Sequence, residues 1–260
     1  MAGHSKWANI KHRKARQDSK RSKMWSKCSR AIIVAAKHGG GDPDQNLTLR
    51  YAIDEAKAAN MPKDTIAKAI EKGAGGGEGS DYEEIVYEGY APGGVAVMLE
   101  ILTDNRNRTA AEMRKIFEKA GGNLGATGSV AFNFERKGEL FLDHATADEE
   151  ALMDVALEAG AEDIEEVEVP GEEEDDPAPK QWRIVTGVDA YHGVKQALEA
   201  KGWVPARASL VMVALNTVAC SGKDAEKVLR FVDELEDNDD VQHVHANFDI
   251  DDEQYAALAG

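Results

Sequence analysis

The fold is decided by residues 138–210. They run GELFLD (138–143), DEEALMDVALEA (148–159), DIEEVEV (163–169), QWRIVTG (181–187), DAYHGVKQALEAK (189–201) and ARASL (206–210). The first, third, fourth and sixth segments read as strands, and the second and fifth as helices. The order is therefore β-α-β-β-α-β, the pattern of a ferredoxin-like split βαβ unit. The acidic run Glu172 to Asp176 lies between two of its strands, with Pro170 and Pro177 around it, and reads as a solvated loop.

Outward from this block, strands are expected at 82–88, 95–103 and 129–135, with a helix at 107–120. On the other side a strand at 210–218, a helix at 223–236 and a strand at 241–248 close the chain. Neither flank makes a complete α+β layer alone, so 81–137 and 211–260 are expected to form one domain into which 138–210 is inserted. The expected fold class is α and α+β multidomain. A small N-terminal helical domain (1–80) precedes two ferredoxin-like α+β domains, the third inserted into the second.

The N-terminal part has a different charge. The 260-residue chain carries a net −17, yet residues 1–40 hold eleven Lys/Arg and the single acid Asp18. The remaining 220 residues hold 20 basic and 47 acidic side chains. Such a split marks a polyanion-binding module attached to an acidic body. A helix is expected from Asp18 to Lys37, with Met24, Trp25, Cys28, Ala31, Ile32 and Ala35 on one face. Lys20, Lys23, Lys27, Arg30 and Lys37 fall on nearly the opposite face, without a carboxylate among them. Gly39 to Gly41 stop this helix. Asp42 and Pro43 look like the N-cap and first residue of the next, which runs to about Asn60. A short helix runs from Pro62 through Lys72, ended by Gly73, and 73–80 reads as a flexible linker.

No run is apolar enough for a membrane span. The two cysteines, Cys28 and Cys220, fit no metal or redox spacing and read as buried free thiols, suited to a reducing cytoplasm. The chain has no Gly-x-Ser-x-Gly elbow, His-Glu-x-x-His, P-loop or dinucleotide fingerprint. His243 and His245 share a strand face near several acids, the closest approach to a metal pair, and read as solvent-facing. No enzyme, cofactor, metal or small-molecule substrate is expected.

One further segment, Thr103-Asp104-Asn105-Arg106-Asn107-Arg108-Thr109, sits where a strand ends and a helix begins. Thr, Asp and Asn suit a turn and an N-cap. Arg106 and Arg108 oppose the helix dipole unless an anion or nearby carboxylates hold them. Phosphate contact and pairing with acids of the chain are both open. Gly121, Gly122, Gly125 and Gly128 read as a C-cap and a tight turn, and Tyr87 to Gly94 as a hairpin turn.

Several of these segments together resemble the YebC family. They are Gly3-His4-Ser5-Lys6-Trp7, Ile10 to Lys14, Asn60-Met61-Pro62-Lys63-Asp64, Tyr87-Glu88-Gly89-Tyr90, Thr103 to Thr109 and Gly128-Ser129-Val130-Ala131-Phe132. The resemblance extends over nearly the whole chain, by pattern more than motif across 140–205. The N-terminus also has the composition of a mitochondrial transit peptide, but a family motif that opens at Gly3 disfavours that reading.

The resemblance implies a cytoplasmic three-domain protein. Bacterial members are described as DNA-binding transcriptional regulators. The family also includes the mitochondrial translational activator of cytochrome c oxidase and ribosome-associated factors that aid synthesis through proline-rich stretches. The expected partner is accordingly nucleic acid, either DNA or ribosomal RNA and tRNA on the ribosome. The expected contacts are Lys6, Trp7, Lys11, His12, Arg13, Lys14, Arg16, Lys20, Lys23, Lys27, Arg30, Arg106 and Arg108.

Overall fold

The computed structural model describes residues 18–75, 82–168 and 180–250, with side chains from Arg21 onward. It is a mixed α+β structure with antiparallel sheets, divided into two compact units. The chain passes from one unit to the other between Glu135 and Arg136 and returns between Met212 and Val213.

One unit begins with three helices: α1 (Asp18–Gly39), α2 (Leu47–Ala58) and α3 (Lys63–Ala74). The expected stripe of α1 forms their core. Cys28, Ile32 and Ala35 are buried with Leu49, Ala56 and Ile66, and Met24, Trp25 and Ala31 pack at the edge. The Trp25 indole N–H donates to the Ala59 carbonyl at 3.0 Å.

Two boundaries differ from expectation. The second helix does not begin at Asp42 and Pro43. Its N-cap is Asn46, whose side chain accepts from the Leu49 N–H while its amide donates to the carbonyls of Ala35 and Gly40. One amide thus caps α2 and ties it to the end of α1, whereas Asp42 closes a turn with Asp44 and Gln45. Nor does Gly73 end α3. It lies inside the helix because a Cβ there would meet the Ile33 carbonyl at 2.4 Å, so its lack of a side chain lets α3 lie close against α1.

The same unit contains β4 (Phe134–Asp143), α5 (Glu149–Glu158), β5 (Ala161–Glu168), β6 (Lys180–Gly187), α6 (Val188–Ala200) and β7 (Arg207–Ala214), β4 and β7 being shared with the other unit at their ends. Their sheet order is β5-β6-β4-β7, with β6 antiparallel to both β4 and β5. Leu140, Leu142, Trp182 and Ile184 pack against Leu152, Ala156, Val194 and Leu198 of the two helices. Arg183 is 1% exposed, and its guanidinium is held by Glu139 and Glu165 on the neighbouring strands. Such a buried cation persists because both flanking strands present carboxylates to it.

The α2 helix also meets α6 through matched positions. The Arg50 guanidinium donates to His192 Nε2 at 2.8 Å, and the Tyr51 and Tyr191 rings meet edge-on at 5.6 Å. Lys195 Nζ lies 2.6 Å from Asp54. Because an arginine only donates, His192 Nε2 is the acceptor.

The other unit holds β1 (Glu83–Tyr90), β2 (Ala96–Thr103), α4 (Arg106–Ala120), β3 (Asn123–Leu124), β8 (Val218–Ala219), α7 (Gly222–Glu236), β9 (Val241–Ala246) and β10 (Phe248–Asp249). Its main sheet runs β3-β1-β2-β9, with antiparallel pairing throughout. β8 and β10 pair parallel beside it. α4 packs on α7, with Phe117 and Phe231 edge-on at 4.8 Å.

The strand expected at 129–135 is absent. Residues 131–133 form a single 3-10 turn, and the strand starts at Phe134. The Glu88 carboxylate accepts the N–H groups of Gly128, Val130 and Ala131 at 2.6 to 2.8 Å, which removes them from any ladder. Burial alone would raise the pKa of Glu88, but these three donors together hold it below the ordinary carboxylate value. The strands expected at 206–210 and 210–218 are likewise one continuous β7, followed by the short β8.

Candidate nucleic-acid interface

The expected contacts fall into three groups. Lys6, Trp7, Lys11, His12, Arg13, Lys14 and Arg16 lie outside the described residues. Lys20 belongs to the first turn of α1, but its side chain also lies outside what is described. Lys23, Lys27 and Arg30 sit on α1, opposite the stripe that forms the helical core.

This face is less open than the helical wheel implies. Lys23 and Lys37 are exposed, Lys27 and Arg30 are half-buried, and Val34 on the same line is buried. The exposed cationic surface of α1 therefore lies toward its two ends. The periodicity missed this because it registers which residues are charged, not what covers them.

Arg106 and Arg108 begin α4, and the structure separates them. Arg108 Nη2 contacts Asp240 at 2.7 Å and Asp104 at 3.1 Å. Asp240 also accepts from the Thr103 and Thr109 hydroxyls, at 3.2 and 2.7 Å. Burial opposes the charge on Asp240, but these hydroxyl and guanidinium donors outweigh it and hold its pKa below the ordinary value. The hydrogen bond from Arg108 to Asp240 in turn raises the arginine's own pKa. Arg108 thus ties the start of α4 to the turn before β9. Arg106 is exposed and forms no ion pair among the described residues.

Asp240 is the neighbour of Arg108 that motif reading missed. It lies in an acidic run, Asp237 to Asp240, which resembles ordinary solvated sequence. Only the pairing of β9 with β2 brings it to Thr103, and the Leu102 N–H donates to the Asp240 carbonyl at 2.8 Å. The N-cap, by contrast, was legible: Asn105 accepts from the Arg108 N–H at 3.1 Å.

The remaining sites carry no comparable chemistry. His243 and His245 stack at 6.0 Å, and His245 Nε2 lies 3.1 Å from Glu100. No group of three or more His, Cys, Asp or Glu is placed to hold a metal among the described residues. Cys28 and Cys220 are both buried free thiols. No helix among the described residues is long and apolar enough to cross a membrane. Tyr90 is partly exposed and donates its hydroxyl to the Ser129 carbonyl at 2.9 Å.

A basic N-terminal helix on an otherwise acidic, mixed α+β chain defines a class of multidomain proteins with segregated charge. Comparison with known proteins identifies which such class it is. Residues 5–76 match the TACO1/YebC N-terminal domain, and residues 82–248 match the TACO1/YebC second and third domain. The chain belongs to the TACO1/YebC family.

Similar full-length proteins include one from Dictyoglomus thermophilum, 52% identical over the whole of both chains. Another, from Rubrobacter xylanophilus, is 51% identical over the same extent. Each of those is named a probable transcriptional regulatory protein. The crystal structure of a conserved hypothetical protein from Aquifex aeolicus is 45% identical and superposes with a TM-score of 0.76. It covers 92% of this chain and 94% of that one.

Proposed function

We propose that this chain is a non-enzymatic, nucleic-acid-binding regulator of gene expression that engages its target through the basic N-terminal segment and α1. The observation that carries this is the division of charge. Eleven cations and one acid fill residues 1–40 of a chain whose net charge is −17. Cations placed this way release counterions from a phosphate backbone, which supplies affinity without specifying sequence. The names of the similar bacterial proteins support transcription as the process.

The domain plan that accompanies this reading is an N-terminal helical domain (1–80), a second domain (81–137 with 211–260) and a third (138–210) inserted into it. Both α+β domains are taken as ferredoxin-like. Lys6, Trp7, Lys11, His12, Arg13, Lys14, Arg16, Lys20, Lys23, Lys27 and Arg30 are the contacts of the N-terminal segment and α1, and Arg106 is a separate contact. Arg108 serves first to hold the start of α4. The protein works in the cytoplasm.

A second reading is favoured by the same charge division. An acidic body repels a long duplex over roughly a Debye length, about 8 Å at physiological salt. A basic tip that enters an RNA-walled site while the body faces solvent suffers no such penalty. On this reading the chain is a ribosome-associated translation factor that binds ribosomal RNA or tRNA and aids synthesis of proline-rich stretches.

Sucrose-gradient fractionation of lysate at physiological salt separates the two readings. Sedimentation with ribosomal particles, lost when Lys11, Arg13, Lys14, Lys20, Lys23 and Lys27 are all changed to Glu, establishes the translation role. Retention at the top of the gradient, with specific duplex capture lost in the variant, establishes transcription. Failure of the wild type to bind either nucleic acid would sink both.

A further inference from the structure

Between Tyr82 and Glu135 the chain has five Lys and Arg, and all five lie on α4: Arg106, Arg108, Arg114, Lys115 and Lys119. The two strands before it carry only acids. On the adjoining α7, Lys227 is paired with Asp224 at 3.2 Å, and Arg230 lies 3.8 Å from Glu226. Within α4, Arg108 is engaged by Asp104 and Asp240, and Lys119 by Glu234 at 2.8 Å. Three cations remain on α4, and Lys223 at the start of α7 is likewise exposed and without an ion pair among the described residues. Arg106, Arg114 and Lys115 are all exposed and form no ion pair among the described residues.

These three do not serve the packing of α4. The helix is held by Thr109, Met113, Ile116 and Phe117 on its inner face. The outer face instead presents Asn107, Ala111 and Arg114, bordered by Arg106 and Lys115 and closed one turn on by Glu118, and every one of them is exposed. Arg106 and Arg114 are eight residues apart, about 12 Å along the axis. Ala110 and Ala111 lie between them, so a partner's backbone could approach the helix closely there. The guanidinium fork suits phosphate oxygens.

We propose that the outer face of α4 is a second nucleic-acid contact, and that its partner is the phosphate backbone of a folded RNA. This rests on the nucleic-acid reading above and names the kind of nucleic acid. Charge complementarity selects a polyanion. The small size of the island selects its shape. Glu112 and Glu118 flank the strip on the helix itself, and Asp224 and Glu226 lie on the neighbouring α7. A straight duplex crossing the face runs its phosphates over these acids, within a Debye length. A folded RNA offers a short ridge of phosphates that touches the strip alone. The strip offers only one amide side chain, Asn107, so it positions the RNA and does not read its bases.

The test uses the full chain and a triple variant, Arg106→Gln, Arg114→Gln and Lys115→Gln. Binding of fluorescein-labelled bulk tRNA and of a mixed-sequence DNA duplex is followed by anisotropy across a salt series. The variant is expected to lose roughly tenfold in tRNA affinity near 0.1 M salt and about 2 in the slope of log affinity against log salt. Duplex affinity is expected to change less than twofold. Exchanging Arg114→Lys and Lys115→Arg, which keeps both charges, restores most tRNA binding.

Unchanged tRNA affinity and slope overturn the contact. An equal loss for duplex and tRNA overturns the choice of RNA. Wild-type protein that binds neither probe overturns the underlying nucleic-acid reading, an outcome visible before any variant is made.

Discussion

The two cationic helices, α1 and α4, hold their charge differently. α1 has no carboxylate after Asp18 through its whole length, and the chain before it is basic too. α4 interleaves Glu112 and Glu118 with its five cations, and two of those cations are engaged by acids elsewhere in the unit. A helix in a like-charged segment can gain most from a partner that brings the opposite charge. A helix of mixed sign in an acidic unit uses part of its charge to hold the fold. Density of basic residues thus separates the two less clearly than the acids within reach of each.

The largest effect expected from this contrast is on binding. Changing Lys11, Arg13, Lys14, Lys20, Lys23 and Lys27 to Glu should lower nucleic-acid affinity by at least a hundredfold at 0.1 M salt, given how steeply phosphate contacts respond to charge. The α+β domains should stay folded, as circular dichroism and thermal melting would report. Full affinity in that variant would remove α1 and its flank from the interface.

Next comes stability at α4. Asp240→Ala removes the acceptor of Thr103, Thr109 and Arg108 at once. It should cost about 3 kcal/mol, because two buried hydroxyls lose a charged acceptor. Urea unfolding measures this. A cost below about 1 kcal/mol would mean that Arg108 and its neighbours do not hold the start of the helix. Arg108→Gln should destabilise less than Asp240→Ala and change tRNA affinity by less than threefold. A larger binding loss there than in the Arg106, Arg114 and Lys115 variant would reverse the division of labour on α4.

Much of this was legible in the sequence, and what was not has specific causes. The apolar stripe of α1 was visible because one face of a helix is buried, and period reports burial directly. The strand-helix order of 138–210 was visible for the same reason. Three features were not. The N-cap of α2 lay at Asn46 rather than Asp42, because Asn46 also satisfies one carbonyl of the preceding helix and one just past its end, which no local rule weighs. Residues 129–135 alternated like a strand but were claimed by Glu88, some forty residues away. Arg108 could be read as a phosphate ligand or an ion-pair partner, and only the pairing of β9 with β2 supplied Asp240. Each miss is a long-range polar contact competing with a local pattern.

The smallest expected effect concerns pH and the two acids that organise α4's unit. Glu88 and Asp240 both have pKa values below their ordinary ones, through the donors each collects. A carboxylate lowered in the folded state adds stability above its unfolded pKa, about 4, and that contribution is lost as pH falls through the folded value. Glu88→Gln should therefore melt below the wild type at pH 7 and at pH 5, by a similar margin. Below about pH 4 the margin should narrow, since the unfolded chain then takes up a proton that folded Glu88, its pKa lowered by Gly128, Val130 and Ala131, still resists. Melting curves of both proteins at pH 7, 5, 4 and 3 measure the margin directly. A margin that stays constant down to pH 3 would mean that the charge of Glu88 does not stabilise the turn, and that a neutral acceptor would hold residues 128–131 equally well.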